Sequence, residues 1–155
     1  MITHLLNMLF NINYQTLKVN TDGISHRESL IHPHPGGNCM NWILGHILVS
    51  RNDLLKILGE APVGDPLELK QYERGSQPIT DADKALNLEQ LMKYLQDSQI
   101  RITAKLDKVT EEELAETKNR RTVAESLAGF HFHEAYHCGQ VGLLRRLAGK
   151  EGAIK

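Results

Sequence analysis

The sequence predicts an all-α protein of 155 residues folded as a four-helix bundle. Three observations lead there. Four segments carry apolar residues at the spacing of an amphipathic helix, and the stretches between them hold capping and stopping residues. No alternating apolar stretch bounded by turn residues marks a strand. Helices of this kind bury their apolar stripes against one another, which is the logic of a bundle. The whole chain, 1–155, is read as one domain of that type.

The first helix is expected over about Ile2–Lys18, where Ile2, Leu5, Leu6, Leu9 and Ile12 recur at helical spacing. Its polar residues and lack of a basic start set it apart from a signal peptide. Ser25 and Glu28 have the spacing of a capping box and open a short turn, which His32-Pro33-His34-Pro35 stops. The second helix is expected after Gly36-Gly37, with Asn38 as N-cap, and ends at Gly59. It is apolar on nearly every side, so it belongs among neighbours and not at a surface.

Between Gly59 and Ile79 the texture changes to glycine, proline and few apolar residues. A connection of that length without structure is often functional, so it is a candidate lid or partner-binding loop. The third helix is expected over roughly Asp83–Leu106, with Leu88, Leu91, Leu95, Ile102 and Leu106 on one stripe. Thr110 with Glu113 marks a short turn, and Thr122 with Glu125 opens the fourth helix, which runs to Gly149.

Composition narrows the function. Eighteen Lys+Arg balance nineteen Asp+Glu for a net charge of −1, so no basic excess exists to drive binding to nucleic acid. No run approaches the roughly 18 consecutive apolar residues of a membrane span. Two cysteines, Cys39 and Cys138, make no disulfide framework, and a reducing cytoplasm suits them. The expected partner is a small molecule, not a nucleic acid or a membrane.

The candidate chemistry lies in the histidines. His133 and His137 are four residues apart on the fourth helix, so both rings leave one face, a turn apart. Phe130 and Leu144 share that stripe, so the pair faces inward. His46 sits midway along the most apolar helix, one turn after Trp42. Buried imidazoles need a hydrogen-bond partner or a metal. Three of them on two helices can meet in a bundle core and hold one divalent ion with coordination positions left open. The ordinary alternative is three histidines bonded to backbone carbonyls or buried water. His4, His26, His32 and His34 carry no such pattern, and His131 points away from the pair, about 200° round the helix from His133.

His133-Glu134-Ala135-Tyr136-His137 also fits the HExxH pattern of zinc peptidases. Against that reading, Leu143 stands where the extended motif needs a third His, and too few residues follow for a distal Glu ligand on a further helix. Glu134 then reads as a solvated helix-face charge, with a general base beside a metal as its alternative. Cys138 reads as a small buried residue and Cys39 as too far along its helix to be a fourth ligand.

Asn41-Trp42-Ile43-Leu44-Gly45-His46, followed far downstream by His133-Glu134-Ala135-Tyr136-His137-Cys138-Gly139-Gln140, resembles the DinB-like family of metal-binding four-helix proteins. The likeness extends over helix order, the long connection after the second helix and the closing Leu144-Arg145-Arg146. It implies that His46, His133 and His137 bind a divalent metal, zinc or nickel. It also implies a homodimer. Some members of the family look like metal-dependent S-transferases that use a low-molecular-weight thiol as co-substrate. On that reading Tyr72, Glu73 and Arg74 contribute to the pocket, and Arg145 and Arg146 are candidate contacts for a carboxylate-bearing thiol. The non-enzyme alternative is a metal-binding or interaction bundle.

Overall fold

The computed structural model describes residues 2–118 and 120–154 and is an all-α bundle. Its four long helices are α1 (Ile2–Thr21), α3 (Met40–Ile57), α5 (Leu88–Leu106) and α7 (Val123–Leu147). Short helices fill the connections: α2 (His26–Ser29), α4 (Pro66–Leu69), a 3-10 turn at Lys70–Tyr72, and α6 (Glu111–Ala115). The strands β1 (Thr117–Lys118) and β2 (Arg121–Thr122) pair antiparallel, Thr117 opposite Thr122 and Lys118 opposite Arg121.

Packing runs in a ring, α1 against α7, α7 against α3, α3 against α5 and α5 back to α1. Helices α1 and α3 therefore stand on one diagonal and α5 and α7 on the other. Leucines dominate the centre: Leu17 from α1, Leu44 and Leu48 from α3, Leu91 and Leu95 from α5, and Leu127 from α7 are all fully buried. Each such side chain contributes about 1.5–3 kcal/mol relative to an exposed one.

All three expected capping boxes form, at Ser25/Glu28, Thr110/Glu113 and Thr122/Glu125. Helix α3 ends where Gly59 takes φ +76°, with Gly59 N–H on Lys56 O and Glu60 N–H on Leu55 O, a Schellman stop. Helix α1 continues to Thr21, past the expected Lys18.

Three expectations need correction. The N-cap of α3 is Cys39 and not Asn38, and its side chain makes no capping bond. Helix α5 starts at Leu88 and not Asp83, because side chains hold the preceding backbone. Leu86 N–H donates to the Tyr72 hydroxyl at 2.9 Å, and Leu86 O accepts from Asn41 Nδ2 at 2.8 Å. The segment from Gly59 to Ile79 is not a structureless lid. It carries α4 and the 3-10 turn and buries Val63, Leu69, Tyr72 and Ile79 in the core.

Candidate metal centre

The run Asn41 to His46 on α3 builds one half of the site, with separate tasks for Asn41, Trp42 and Gly45 around His46. Gly45 leaves room for an aromatic ring: a Cβ there would lie 2.2 Å from the Tyr72 side chain. With that ring seated on α3, the Tyr72 carbonyl faces His46 and accepts its Nδ1–H at 2.9 Å. The Tyr72 hydroxyl donates to Asn41 Oδ1 at 3.0 Å, which ties the same turn to α3 a second time. Trp42 stacks on the His46 ring at 4.8 Å between centroids and 13° between planes. Its indole N–H donates to Ser76 Oγ at 3.0 Å.

Helix α7 supplies the other half. His133 and His137 project one turn apart, and His137 Nδ1–H donates to Gln140 Oε1 at 2.6 Å. His133 Nε2 lies 3.1 Å from His46 Nε2 and 3.1 Å from His137 Nε2. One ligand nitrogen from each of the three falls within 4.8 Å of the others. Neither Cys39 nor Cys138 belongs to this group.

The proton positions follow from the partners. A carbonyl oxygen only accepts, so Nδ1 of both His46 and His137 carries the hydrogen, and each neutral ring turns an Nε2 lone pair inward. His133 has no comparable support: its Nδ1 is buried without a partner among the described residues. If its proton sits on Nε2, the buried Nδ1 lone pair lacks a donor. If it sits on Nδ1, that N–H lacks an acceptor and three lone pairs converge. A cation at the focus takes up the inward lone pairs at once. Two nitrogens about 2.0–2.1 Å from one tetrahedral ion stand about 3.3 Å apart, close to the 3.1 Å observed. An imidazole locked through its outer N–H is also the usual support of a metal-binding histidine. The three residues fit a divalent metal.

Electrostatics agree with neutral rings. Burial, and then the charges that His137 and His46 would carry, push His133 down to about 4. Burial also lowers His137, against the opposing bond to Gln140.

Glu134 is not the solvated charge expected, and its carboxylate is turned to Arg51. It is 3% exposed and forms a two-pronged pair with Arg51, Nε to Oε2 and Nη2 to Oε1, each 2.7 Å. Arg51 Nη1 also donates to Leu95 O and Ser98 Oγ, and Nη2 to Gln99 Oε1. Both carboxylate oxygens of Glu134 are engaged by the Arg51 guanidinium, which speaks against the HExxH peptidase reading. The sequence carried a signal for Arg51 that local reading missed: it occupies the α3 stripe of Leu44, Leu48 and Leu55, where a surface charge has no place.

The remaining candidates have structural tasks. Tyr72 is fully buried and serves through its carbonyl, whereas Glu73 and Arg74 are exposed. Arg145 donates to the carbonyls of Glu151 and Asn20, joining the ends of α7 and α1 away from the histidines. Arg146 lies against the chain at Gly152. His131 sets its ring edge-on to Phe10. His26 accepts from Leu88 N–H, and His32 bonds the Ile79 carbonyl at 2.7 Å.

Two cavities flank the three rings. One, of about 380 Å³, is lined by His133, Phe130, Ser50, Ser126, Lys118 and Arg121. The other, of about 350 Å³, adjoins His137 and Gln140 and is walled mainly by Trp42, Ile43, Leu143 and Leu144.

Comparison with known proteins agrees with the architecture. The family model of the DinB superfamily matches residues 10–141. A solved structure described as a conserved protein of a locus from Enterococcus faecalis superposes with a TM-score of 0.75 at 19% identity. That likeness covers 97% of this chain and 99% of the other and concerns the fold. No curated protein matches the chain.

Proposed function

The chain belongs to the DinB superfamily, and from that premise we propose that it is a divalent-metal protein, with His46, His133 and His137 as ligands, that transfers a low-molecular-weight thiol to an electrophilic small molecule. The observation that carries the metal site is the convergence of three Nε2 atoms with two of the rings locked through Nδ1. An all-imidazole set suits zinc or nickel. When bound, such a metal supplies a Lewis acid that lowers the pKa of a thiol or water in an open position.

The protein's own residues do the rest. Tyr72 and Gln140 fix the tautomer and the aim of two rings, and Trp42 covers His46. The apolar cavity beside His137 suits the carbon framework of an electrophile. In the transfer the thiol releases its proton to solvent and sulfur bonds the electrophilic carbon. The carbon's bond to its leaving group breaks, and the leaving group keeps the electron pair.

A homodimer and a cytoplasmic setting complete the proposal. Among the described residues no helix is long and apolar enough to cross a membrane, and both cysteines are free and buried. Phe132, Tyr136, Leu143 and Leu147 form one exposed stripe on α7, Phe132 reaching 71% exposure. Two such stripes crossing about a two-fold axis cover each other. Sedimentation of the wild type and of Phe132→Glu/Leu143→Glu distinguishes a dimer from a monomer.

The direct test of the centre is elemental analysis of untagged protein purified without chelators. About one divalent ion per chain is expected, lost on any single His→Ala change at 46, 133 or 137. Unaltered metal content in those variants removes the site. Metal that binds while no thiol perturbs its spectrum, with cobalt as reporter, leaves a non-catalytic metal-binding bundle.

A further inference from the structure

The β1–β2 hairpin contains an arrangement that bundle stability does not explain. Lys118 and Arg121 are direct cross-strand partners. Like charges opposite each other on one face of a hairpin repel and destabilise it. Both line the same cavity, as does His133. Lys118 is partly neutralised: its Nζ lies 3.6 Å from Glu116 Oε2 and donates to Ile57 O at the end of α3. Arg121 makes no ion pair or hydrogen bond among the described residues, and the neighbouring Glu125 gives its Oε2 to the Thr122 cap. Ser50 and Ser126 add hydroxyls on the same walls, and Phe130 and Ile57 make the rest apolar.

The geometry points to this cavity as the binding site of an organic carboxylate, with Arg121 as its main contact, Lys118 as a second, and the carbon chain along Phe130 and Ile57. A planar guanidinium without a protein acceptor matches a carboxylate through two parallel N–H bonds. The carboxylate also relieves the repulsion between the paired cations. This deepens the proposed function, since it places an anionic substrate beside His133, and it rests on that reading only for the step from binding to reaction.

Hexanoate and 1-hexanol serve as probes because they share a carbon chain and differ in charge. Each is titrated into metal-free full-length protein and followed by amide shifts of Ser126, Gly129 and Phe130, then again after zinc loading. Hexanoate is expected to bind about fivefold tighter than hexanol, the scale of a partly exposed ion pair. The preference should disappear in Arg121→Gln, shrink in Lys118→Gln, and fade at about 1 M salt, where charges are screened beyond about 3 Å. Both residues are exposed, so unchanged melting temperatures confirm that the variants fold. Equal binding of the two probes, shifts confined to other regions, or an undiminished preference in Arg121→Gln overturns the assignment. Because the metal-free arm needs no ion, failure to take up zinc counts against the metal centre and leaves the carboxylate site to stand or fall alone.

Discussion

Arg51 on α3 and Glu134 on α7 face each other through two bonds of 2.7 Å in a setting where both side chains are almost wholly removed from water. Glu134 directly follows His133 in sequence, and Arg51 lies five residues beyond His46. The pair therefore joins the same two helices whose registers bring the histidine nitrogens together. Arg51 extends the clamp to α5 through Leu95, Ser98 and Gln99.

Removing one member leaves a buried charge without its counterpart. Glu134→Ala should cost about 3–5 kcal/mol in urea unfolding, and Arg51→Met/Glu134→Leu considerably less, since replacing both ions with apolar groups is often near neutral. A double-variant loss equal to the sum of the Arg51→Met and Glu134→Leu losses would show that the pair is not coupled.

Gly45→Ala tests the support of His46. The added methyl cannot share space with the Tyr72 ring, so the 3-10 turn must withdraw and take its carbonyl from His46 Nδ1. A stability loss of about 1–3 kcal/mol is expected from the overpacking. Metal affinity should fall about 10–100-fold, as when an outer partner of a ligand is lost. Competition with a chromophoric chelator measures the affinity, and an unchanged value would mean that Tyr72 does not set the ring.

The histidine group is legible in the sequence because His133 and His137 recur at one helical turn, His46 interrupts an apolar helix, and the family resemblance points to the same three. Glu134 was misread for the complementary reason. Its partner stands 83 positions away, and helical periodicity carries no information about pairing between helices. Tyr72 is expected in the pocket only as part of the connection after the second long helix, yet it meets His46 through its carbonyl, which every residue type possesses. Only Gly45, beside His46 on a helix otherwise full of large side chains, hints that something packs closely there. The start of α5 was misjudged because Leu86 is held out of the helix by Asn41 and Tyr72, both distant in sequence.

Acid should weaken the metal-free protein in a definite window. His133 titrates near 4 when folded and His137 is also lowered, whereas both titrate near about 6.5 in the unfolded chain. Between those values the unfolded chain binds protons that the folded one does not, so stability rises with pH from about 4 to about 6.5 and this contribution is level above. Melting temperatures across that range should therefore fall on acidification, and less steeply in His133→Gln. Equal slopes in the two proteins would show that His133 does not carry the effect.

The two cysteines should be inert towards thiol reagents in the folded protein. Burial, and then the Glu134 charge, push Cys138 up to about 12, and burial raises Cys39 as well. Cys138 rests against the Asn13 carbonyl at 3.6 Å, inside the α1–α7 interface. At pH 8 a thiol of that kind is ionised about three orders of magnitude less than an ordinary cysteine. Labelling with a chromogenic disulfide should accordingly be slower by about that factor and become rapid in denaturant. The consequence reaches the proposed reaction. If neither cysteine reacts, the sulfur nucleophile must come from a separate small molecule, and Cys138→Ala should leave metal content and thiol binding intact. Fast labelling of native Cys138, or loss of thiol chemistry in that variant, would instead place the nucleophile on α7 itself.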